Sequence, residues 1–209
     1  SDKKDILYGY PFSTVMYKDI YYSNHRFDVG YNYIVKFDKD GHFLERILID
    51  TIFDMNSWSL LPTQKSGSKL IFMGLEYDTS NINKQSVFLI RADSSLNIEW
   101  KRNYDGLFEN KHGFNFVDII DDSLIAVSFI NYNADTKKFP SLLLIYNLEG
   151  ILVLEKEIDC EKYTHIRKVI SDGRGGLLLL GSTGEKDLNK HDFLAVKLNK
   201  EGEIVWEKT

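Results

Sequence analysis

The chain has 209 residues, of which 43% are hydrophobic, 27% are charged and 13% are aromatic, and its formal net charge is −5. Lysine and arginine are spread along the sequence, whereas a nucleic-acid surface needs clustered cations, so nucleic-acid partners are not expected. Cys160 is the only cysteine, which excludes an intrachain disulfide, and no apolar run is long enough to span a membrane. The aromatic content favours strands over helices.

Four segments of the sequence share one layout, in which an apolar run leads through a short polar turn into a second run. The residue that closes the turn is Gly41, Leu96, Gly150 and Gly202 in successive segments, at steps of 55, 54 and 52 residues. So steady a period indicates one supersecondary unit used four times. The predicted repeats cover about 2–52, 53–108, 109–160 and 161–209, within a single domain of residues 1–209.

Each repeat divides into four predicted strands, and no helical pattern with caps is present. In chain order the predicted strands are 10–16, 20–23, 33–37 and 42–47; 58–61, 69–74, 87–92 and 97–101; 115–120, 124–129, 142–146 and 151–156; and 165–170, 176–181, 193–198 and 203–208.

The hydrophobic pattern changes along the four strands of a repeat. Second and third strands are near-continuous apolar runs, such as Leu177-Leu-Leu-Leu180, which is typical of strands covered on both faces. Fourth strands alternate, with Ile204 and Trp206 predicted on one face and Val205 on the other, which is typical of a half-exposed edge. The pattern predicts an all-β fold, a β-propeller of four antiparallel four-stranded blades, forming a small closed ring or an arc of a larger one.

The links between predicted strands differ in length. Third-to-fourth and first-to-second links are tight turns, whereas second-to-third links at 75–86, 131–141 and 182–192 are long and polar. In a meandering blade the long links emerge on one face of the disc. Loops longer than chain closure requires are frequent binding elements, so a ligand is expected on that face.

The last repeat carries the most complete motif: Asp172-Gly-Arg-Gly-Gly176-Leu-Leu-Leu-Leu-Gly181-Ser-Thr183, then Asp192 to Lys197, Asn199, Gly202, Trp206 and Lys208-Thr209. This motif resembles the blade repeat of bacterial extracytoplasmic β-propeller proteins. The resemblance implies export to the periplasm or outer cell surface, often with a lipid anchor upstream of residue 1. It implies no catalytic residues.

Several motifs that suggest cofactors are better explained as turns. Asp38-Lys-Asp-Gly41 lacks the full ligand spacing of a calcium loop, and Asp172-Gly-Arg-Gly-Gly176 precedes a strand rather than the helix that a phosphate loop needs. The five histidines include no pair at metal-ligand spacing on one element. No metal, cofactor or catalytic residue is therefore predicted.

Four residues are predicted to line a ligand site at the mouth of the channel, on the face with the long links. They are Trp58, His112, Tyr163 and His165, which lie at equivalent levels of successive repeats. The alternative is that the aromatic residues merely plug the channel.

These observations leave three functional hypotheses. The first is a non-catalytic binding or scaffold propeller with a protein or glycan ligand on the face that carries the long second-to-third links, which we call the elaborated face. The second is an enzyme, such as a glycoside-cleaving propeller using Asp54, Glu109 and Asp159. The third is a purely structural arc that self-associates if the ring is open, because apolar blade faces would then be exposed.

Overall fold

The computed structural model describes residues 9–17, 19–27, 32–48, 61–66, 69–78, 81–109, 114–121, 123–130, 136–159, 163–184 and 191–209. These residues form sixteen strands and contain no helix, and therefore none of the length and apolarity that a membrane crossing requires. The prediction of an all-β protein is confirmed.

The strands form four antiparallel sheets of four strands, one for each predicted repeat. Sheet 1 contains β1 (Gly9–Tyr17), β2 (Ile20–Phe27), β3 (Asn32–Asp38) and β4 (Phe43–Leu48), and sheet 2 contains β5 (Leu61–Ser66), β6 (Lys69–Asp78), β7 (Asn81–Asp93) and β8 (Ile98–Glu109). Sheet 3 contains β9 (Phe114–Ile120), β10 (Leu124–Ile130), β11 (Ser141–Asn147) and β12 (Leu152–Ile158), and sheet 4 contains β13 (Tyr163–Ser171), β14 (Leu177–Gly184), β15 (His191–Leu198) and β16 (Ile204–Lys208). Within each sheet the neighbouring strands are also neighbours in the sequence.

The chain divides into two compact units. Unit 1 comprises residues 1–80 and 86–106, with sheet 1 and most of sheet 2, and unit 2 comprises residues 81–85 and 107–209, with sheets 3 and 4. The assignment of the whole chain to a single domain stays a prediction.

Each unit has a core in which one sheet packs on the next. In unit 1, Tyr22 and Ile34 of sheet 1 pack with residues of sheet 2, namely Leu70, Phe72, Phe88, Ile90, Ala92 and Leu96. In unit 2, sheet 3 contributes Ile120, Ala126, Leu143, Ile145 and Ile158, and sheet 4 contributes Ile166, Val169, Leu177, Leu179, Leu194, Val196 and Leu198. Full burial of each such side chain stabilises the fold by roughly 1.5–3 kcal/mol. The apolar second and third strands of the sequence therefore form the packed faces, as predicted.

The third-to-fourth turns share one hydrogen-bond pattern, which confirms that Asp38-Lys-Asp-Gly41 is a turn. Asp38 Oδ1 accepts hydrogen bonds from the backbone N–H groups of Asp40 and His42, at 2.9 and 2.8 Å. Asp93, Asn147 and Asn199 do the same in the other sheets. The closing residue has positive φ each time, at 84°, 66°, 76° and 80° for Gly41, Leu96, Gly150 and Gly202. Only glycine adopts this φ without strain, so Leu96 is the exception that needs a packing reason.

The outer strands do not alternate as predicted, because a β-bulge interrupts them. Trp206 pairs with Lys197 and Ile204 with Leu198, which leaves Val205 as the extra residue. Since Lys197 and Leu198 point to opposite faces, Trp206 and Ile204 also lie on opposite faces rather than on one. The same shift occurs between β11 and β12 and between β3 and β4.

The second repeat also departs from the prediction. Its second-to-third link is not a long loop over 75–86, because β6 continues to Asp78 and β7 begins at Asn81. Asp78 and Asn81, which flank this short link, are residue types that favour turns. The first strand of this repeat runs over Leu61–Ser66 instead of ending at 61. The elaborated face is therefore less uniform than predicted.

Candidate functional site

Tyr163 and His165, two of the four predicted site residues, lie at the start of β13, the first strand of sheet 4. This end of sheet 4 is the elaborated one, since the link between β14 and β15 leaves from Gly184 and returns at His191. Tyr163 pairs with Gly184, and Gly184 pairs with His191. The pairing therefore places one tyrosine and two histidines at the same end of the sheet.

The ring of Tyr163 is the centre of a cluster of four rings. Its centroid is 5.4 Å from that of His191, 6.2 Å from that of His165 and 6.3 Å from that of Phe139. The Tyr163 and His165 rings meet edge to face, with an interplanar angle of 90°. We call Phe139, Tyr163, His165 and His191 the aromatic–imidazole cluster. His191 is exposed and the other three are half-buried, so ligands can reach the cluster from solvent.

Backbone and hydroxyl hydrogen bonds fix the position of Tyr163. The Thr164 N–H donates to the Phe139 carbonyl at 2.8 Å, which joins the link before β11 to β13. The hydroxyl of the buried Thr183 donates to the Tyr163 carbonyl at 3.0 Å. Both hydrogen bonds use the peptide group between Tyr163 and Thr164, so the backbone that carries the ring is tied to the link before β11 and to β14 before any ligand arrives.

Two titratable groups of the cluster, Tyr163 and His165, are neutral at physiological pH. Burial, the nearby Arg167 and His191 lower the pKa of His165 to about 4, so its imidazole carries no charge. Burial raises the pKa of the Tyr163 phenol, with Arg167 opposing the shift, so the hydroxyl stays protonated. The cluster therefore offers ring faces together with a neutral phenol and the neutral imidazole of His165, which suits uncharged ligands.

Asp159 lies close to the cluster in sequence but is engaged elsewhere. Its Oδ2 is 2.9 Å from Lys138 Nζ, next to Phe139. This ion pair engages one of its carboxylate oxygens, so the structure does not show Asp159 directed into the cluster as a catalytic acid. Of the other two proposed catalytic acids, Asp54 and the side chain of Glu109 lie outside the described residues.

Two of the predicted site residues, Trp58 and His112, also lie outside the described residues. The structure thus brings together Tyr163 and His165 and adds Phe139 and His191, which the sequence argument missed. A signal was available for His191, which directly follows a long polar link and opens an apolar strand. No comparable signal marked Phe139, which meets Tyr163 through an isolated parallel bridge.

A second group of polar side chains lies at the tight turn between β3 and β4 of sheet 1. Ligand atoms of Asp38, Asp40 and His42 come within 4.8 Å of one another. The Asp38 carboxylate, however, already accepts two backbone hydrogen bonds and lies 2.9 Å from His42 Nδ1. These hydrogen bonds lower the pKa of Asp38. They belong to the tight turn between β3 and β4, and this turn explains why the three side chains lie together.

Comparison with solved structures bears on the fold. The β-propeller domain of the Trilobed protease from Pyrococcus furiosus, described as having an open velcro topology, matches 96% of this chain with a TM-score of 0.55 and 12% identity. The fold is that of a β-propeller. An acylaminoacyl peptidase from Pyrococcus horikoshii (94% of this chain, TM-score 0.54, 11% identity) and an apocarotenoid oxygenase from Synechocystis (93%, 0.54, 9%) are also similar.

The β-propeller here spans 58%, 32% and 47% of the length of those three chains, respectively. At such low identity the likeness concerns the fold alone. No protein-family model matches the sequence, and no curated protein is similar to it in sequence.

Proposed function

We propose that this β-propeller is a non-catalytic binding module that takes a protein or glycan ligand at the aromatic–imidazole cluster. The observation that carries the proposal is the reachable Tyr163 ring, held between two imidazoles at the elaborated end of sheet 4. Sugar rings stack their C–H faces on such aromatic surfaces, and the apolar anchors of protein ligands use them in the same way. The neutral imidazole of His165 adds a hydrogen-bond donor and an acceptor for hydroxyl or amide groups.

The role of the cluster can be tested with a glycan array, followed by calorimetric titration of any glycan that binds. We expect Tyr163→Ala to weaken binding by about tenfold or more, as for removal of an aromatic anchor. His42→Ala is the matched control, since it removes an exposed imidazole in the tight turn between β3 and β4 of sheet 1. Unchanged affinity in Tyr163→Ala would contradict the proposal for that glycan.

The predicted residues outside the described part of the chain belong to the same proposal. Trp58→Ala combined with His112→Ala should weaken binding of the same ligand without unfolding the protein. If this double variant binds normally while Tyr163→Ala does not, the site is confined to sheet 4 and its neighbour in unit 2.

The extracytoplasmic location and the upstream lipid anchor are also part of the proposal, and they rest on the blade motif of the last repeat. Fractionation of cells that express the natural precursor, with lipid labelling, tests both. The glycosidase alternative has less support, because Asp159 is paired with Lys138.

A further inference from the structure

A cation, Arg167, lies beside the aromatic–imidazole cluster on the strand that carries two of its members. The register of β13 shifts between Ile166 and Lys168, so Arg167 is the extra residue of a β-bulge. Ile166 packs toward sheet 3. Since side chains alternate along a strand, Arg167 lies on the opposite face of β13, which it shares with Tyr163 and His165.

The pKa values of the cluster agree with this position. Burial is the largest cause of the pKa shifts of Tyr163 and His165, and the charge of Arg167 is the next cause of both. The cation opposes the rise in the pKa of the phenol and adds to the fall in the pKa of the imidazole. Because such charge effects weaken with distance, the guanidinium of Arg167 lies near both rings.

The charge of Arg167 is not compensated within unit 2. Among the residues of that unit that the structure describes, none accepts a hydrogen bond from its guanidinium or forms an ion pair with it. Two nearby carboxylates are already engaged, since Asp118 pairs with Lys168 and Asp159 pairs with Lys138. An arginine stays charged at every physiological pH, so this charge is available to a ligand of the cluster.

One acid, Asp192, directly follows the cluster residue His191, but it lies on the other face of sheet 4. Asp192 pairs with the buried Thr183 of β14. Because neighbouring residues of a strand point to opposite faces, the carboxylate of Asp192 points away from the face that carries His191 and Tyr163. In the described part of the chain, the face of the cluster therefore combines aromatic rings with positive charge.

A tyrosine ring and an arginine on one face suit a ligand group that has both a flat apolar side and a carboxylate. The planar guanidinium can donate two parallel hydrogen bonds to a carboxylate, and the C–H face of a sugar stacks on an aromatic ring. In a uronic acid, one sugar ring carries both features. A peptide must take them from two residues, and ordering two flexible side chains costs more conformational entropy. The rings thus bind the uncharged part of the ligand, and the arginine binds its acidic group.

We propose that the aromatic–imidazole cluster and Arg167 form a site for an acidic glycan, in which a uronic-acid residue stacks on Tyr163 and pairs through its carboxylate with Arg167. This inference rests on the proposed binding function of the cluster and names its ligand class. Arg167 is the specificity-determining residue, because it distinguishes the carboxylate from the hydroxymethyl group that a neutral sugar has at the same position.

An array of oligosaccharides of glucuronic, galacturonic and mannuronic acid, each beside its carboxyl-reduced form, tests the inference. Reduction replaces the carboxylate by a hydroxymethyl group and leaves the sugar ring intact. We expect the protein to bind at least one acidic oligosaccharide about 10–100-fold more tightly than its reduced form, as for a hydrogen bond to a charged group. Calorimetric titration measures both affinities.

Substitutions of Arg167 should change the affinity for the acidic form alone. Arg167→Gln should bind the acidic form about as weakly as the reduced form, and Arg167→Lys, which keeps the charge but not the planar fork, should be intermediate. Arg174→Gln is the matched control, since it removes an exposed arginine in the turn at the other end of sheet 4 and should keep the preference. Thermal melts of each variant verify that it is folded.

Tyr163→Ala separates this inference from the proposed function, because it should weaken binding of the acidic and reduced forms alike. If Tyr163→Ala weakens binding but the wild type does not distinguish the two forms, the cluster binds glycans and the inference about Arg167 is wrong. If Tyr163→Ala binds normally, the proposed function itself fails. The inference is also overturned if no acidic oligosaccharide binds, or if only acidic peptides on a parallel array bind, since the ligand is then a protein.

Discussion

Sheets 1 and 4 carry an equivalent row of directly paired residues, and the two sheets neutralise the lysine of that row in different ways. The row consists of Tyr22, Lys36 and Glu45 in sheet 1 and of Leu178, Lys197 and Trp206 in sheet 4. In sheet 1 the lysine of the row, Lys36, takes its counter-charge from Glu45 within the row and lies beneath sheet 2. In sheet 4 the counter-charge of Lys197 comes from Asp172, in the turn at the end of β13, and Trp206 replaces the carboxylate. Because the carboxylate that pairs with Lys197 lies outside the row, the large apolar side chain of Trp206 can take the place that Glu45 has in sheet 1.

The turns of the two sheets should differ most in their tolerance of side chains. Gly202→Ala places a Cβ atom against Leu154 at a φ of 80°, and the clash and the strain together should destabilise the protein by about 2–3 kcal/mol. Gly41→Ala has nearly the same φ but open space, so only the strain of about 1 kcal/mol is expected. Urea unfolding of both variants measures the difference. Equal losses would mean that the contact between Leu154 and the Gly202 turn is loose.

The elaborated end of sheet 4 should give the protein a pH dependence of stability through His165. The pKa of His165 is lowered from 6.5 to about 4, chiefly by burial, so the unfolded chain takes up a proton before the folded one. Stability should therefore fall between pH 6.5 and pH 4, by on the order of 2 kcal/mol after allowance for solvent screening, and this contribution should be constant below pH 4.

His165→Gln should flatten this dependence. Chemical unfolding at several pH values provides the measurement. The same slope in His165→Gln and the wild type would show that the imidazole is protonated in the folded state.

The smallest expected difference concerns the ion pairs Lys36–Glu45 and Lys197–Asp172. They should differ in how much each contributes to the free energy of unfolding. Glu45→Gln leaves the buried Lys36 without its counter-charge and should cost about 1 kcal/mol, since Glu45 itself is half exposed. Asp172→Asn keeps the turn, because an Asn accepts the same backbone hydrogen bonds at 147 and 199. Its loss should be smaller, since the side chain of Lys197 is more exposed than that of Lys36.

The ion pair between Asp172 and Lys197 should lose its stabilising effect at low pH. The hydrogen bond from Lys197 and those from the Arg174 and Gly176 N–H groups lower the pKa of Asp172 to about 2. Its contribution to stability is complete above pH 3.8 and should disappear as the pH falls toward 2. Asp172→Asn should lack this loss. If Asp172→Asn destabilises the protein more than Glu45→Gln at neutral pH, the row in sheet 4 is not equivalent to that in sheet 1.

The repeat period and the apolar inner strands were enough to predict the sheets, because both features follow from local sequence. The positions of Ile204 and Trp206 were not predictable, since alternation assumes a regular strand and a β-bulge adds one residue at Val205. The candidate site was predictable only where its residues share a strand, as Tyr163 and His165 do. Phe139 joins it through a contact between sheets 3 and 4, and such contacts leave no periodic trace in a single sequence.

The bulge in the outer strands has a consequence for unfolding. The bulge turns Ile204 toward sheet 3 and Trp206 away from it. The short outer strand β16 therefore presents one apolar side chain on each face of sheet 4. In sheet 3 the bulged strand likewise sends Leu154 to sheet 4 while Leu152 pairs with Tyr146 on the other face. Fraying of a rim strand would therefore expose apolar side chains on both faces of its sheet at once, and in β12 it would also weaken the contact between sheets 3 and 4.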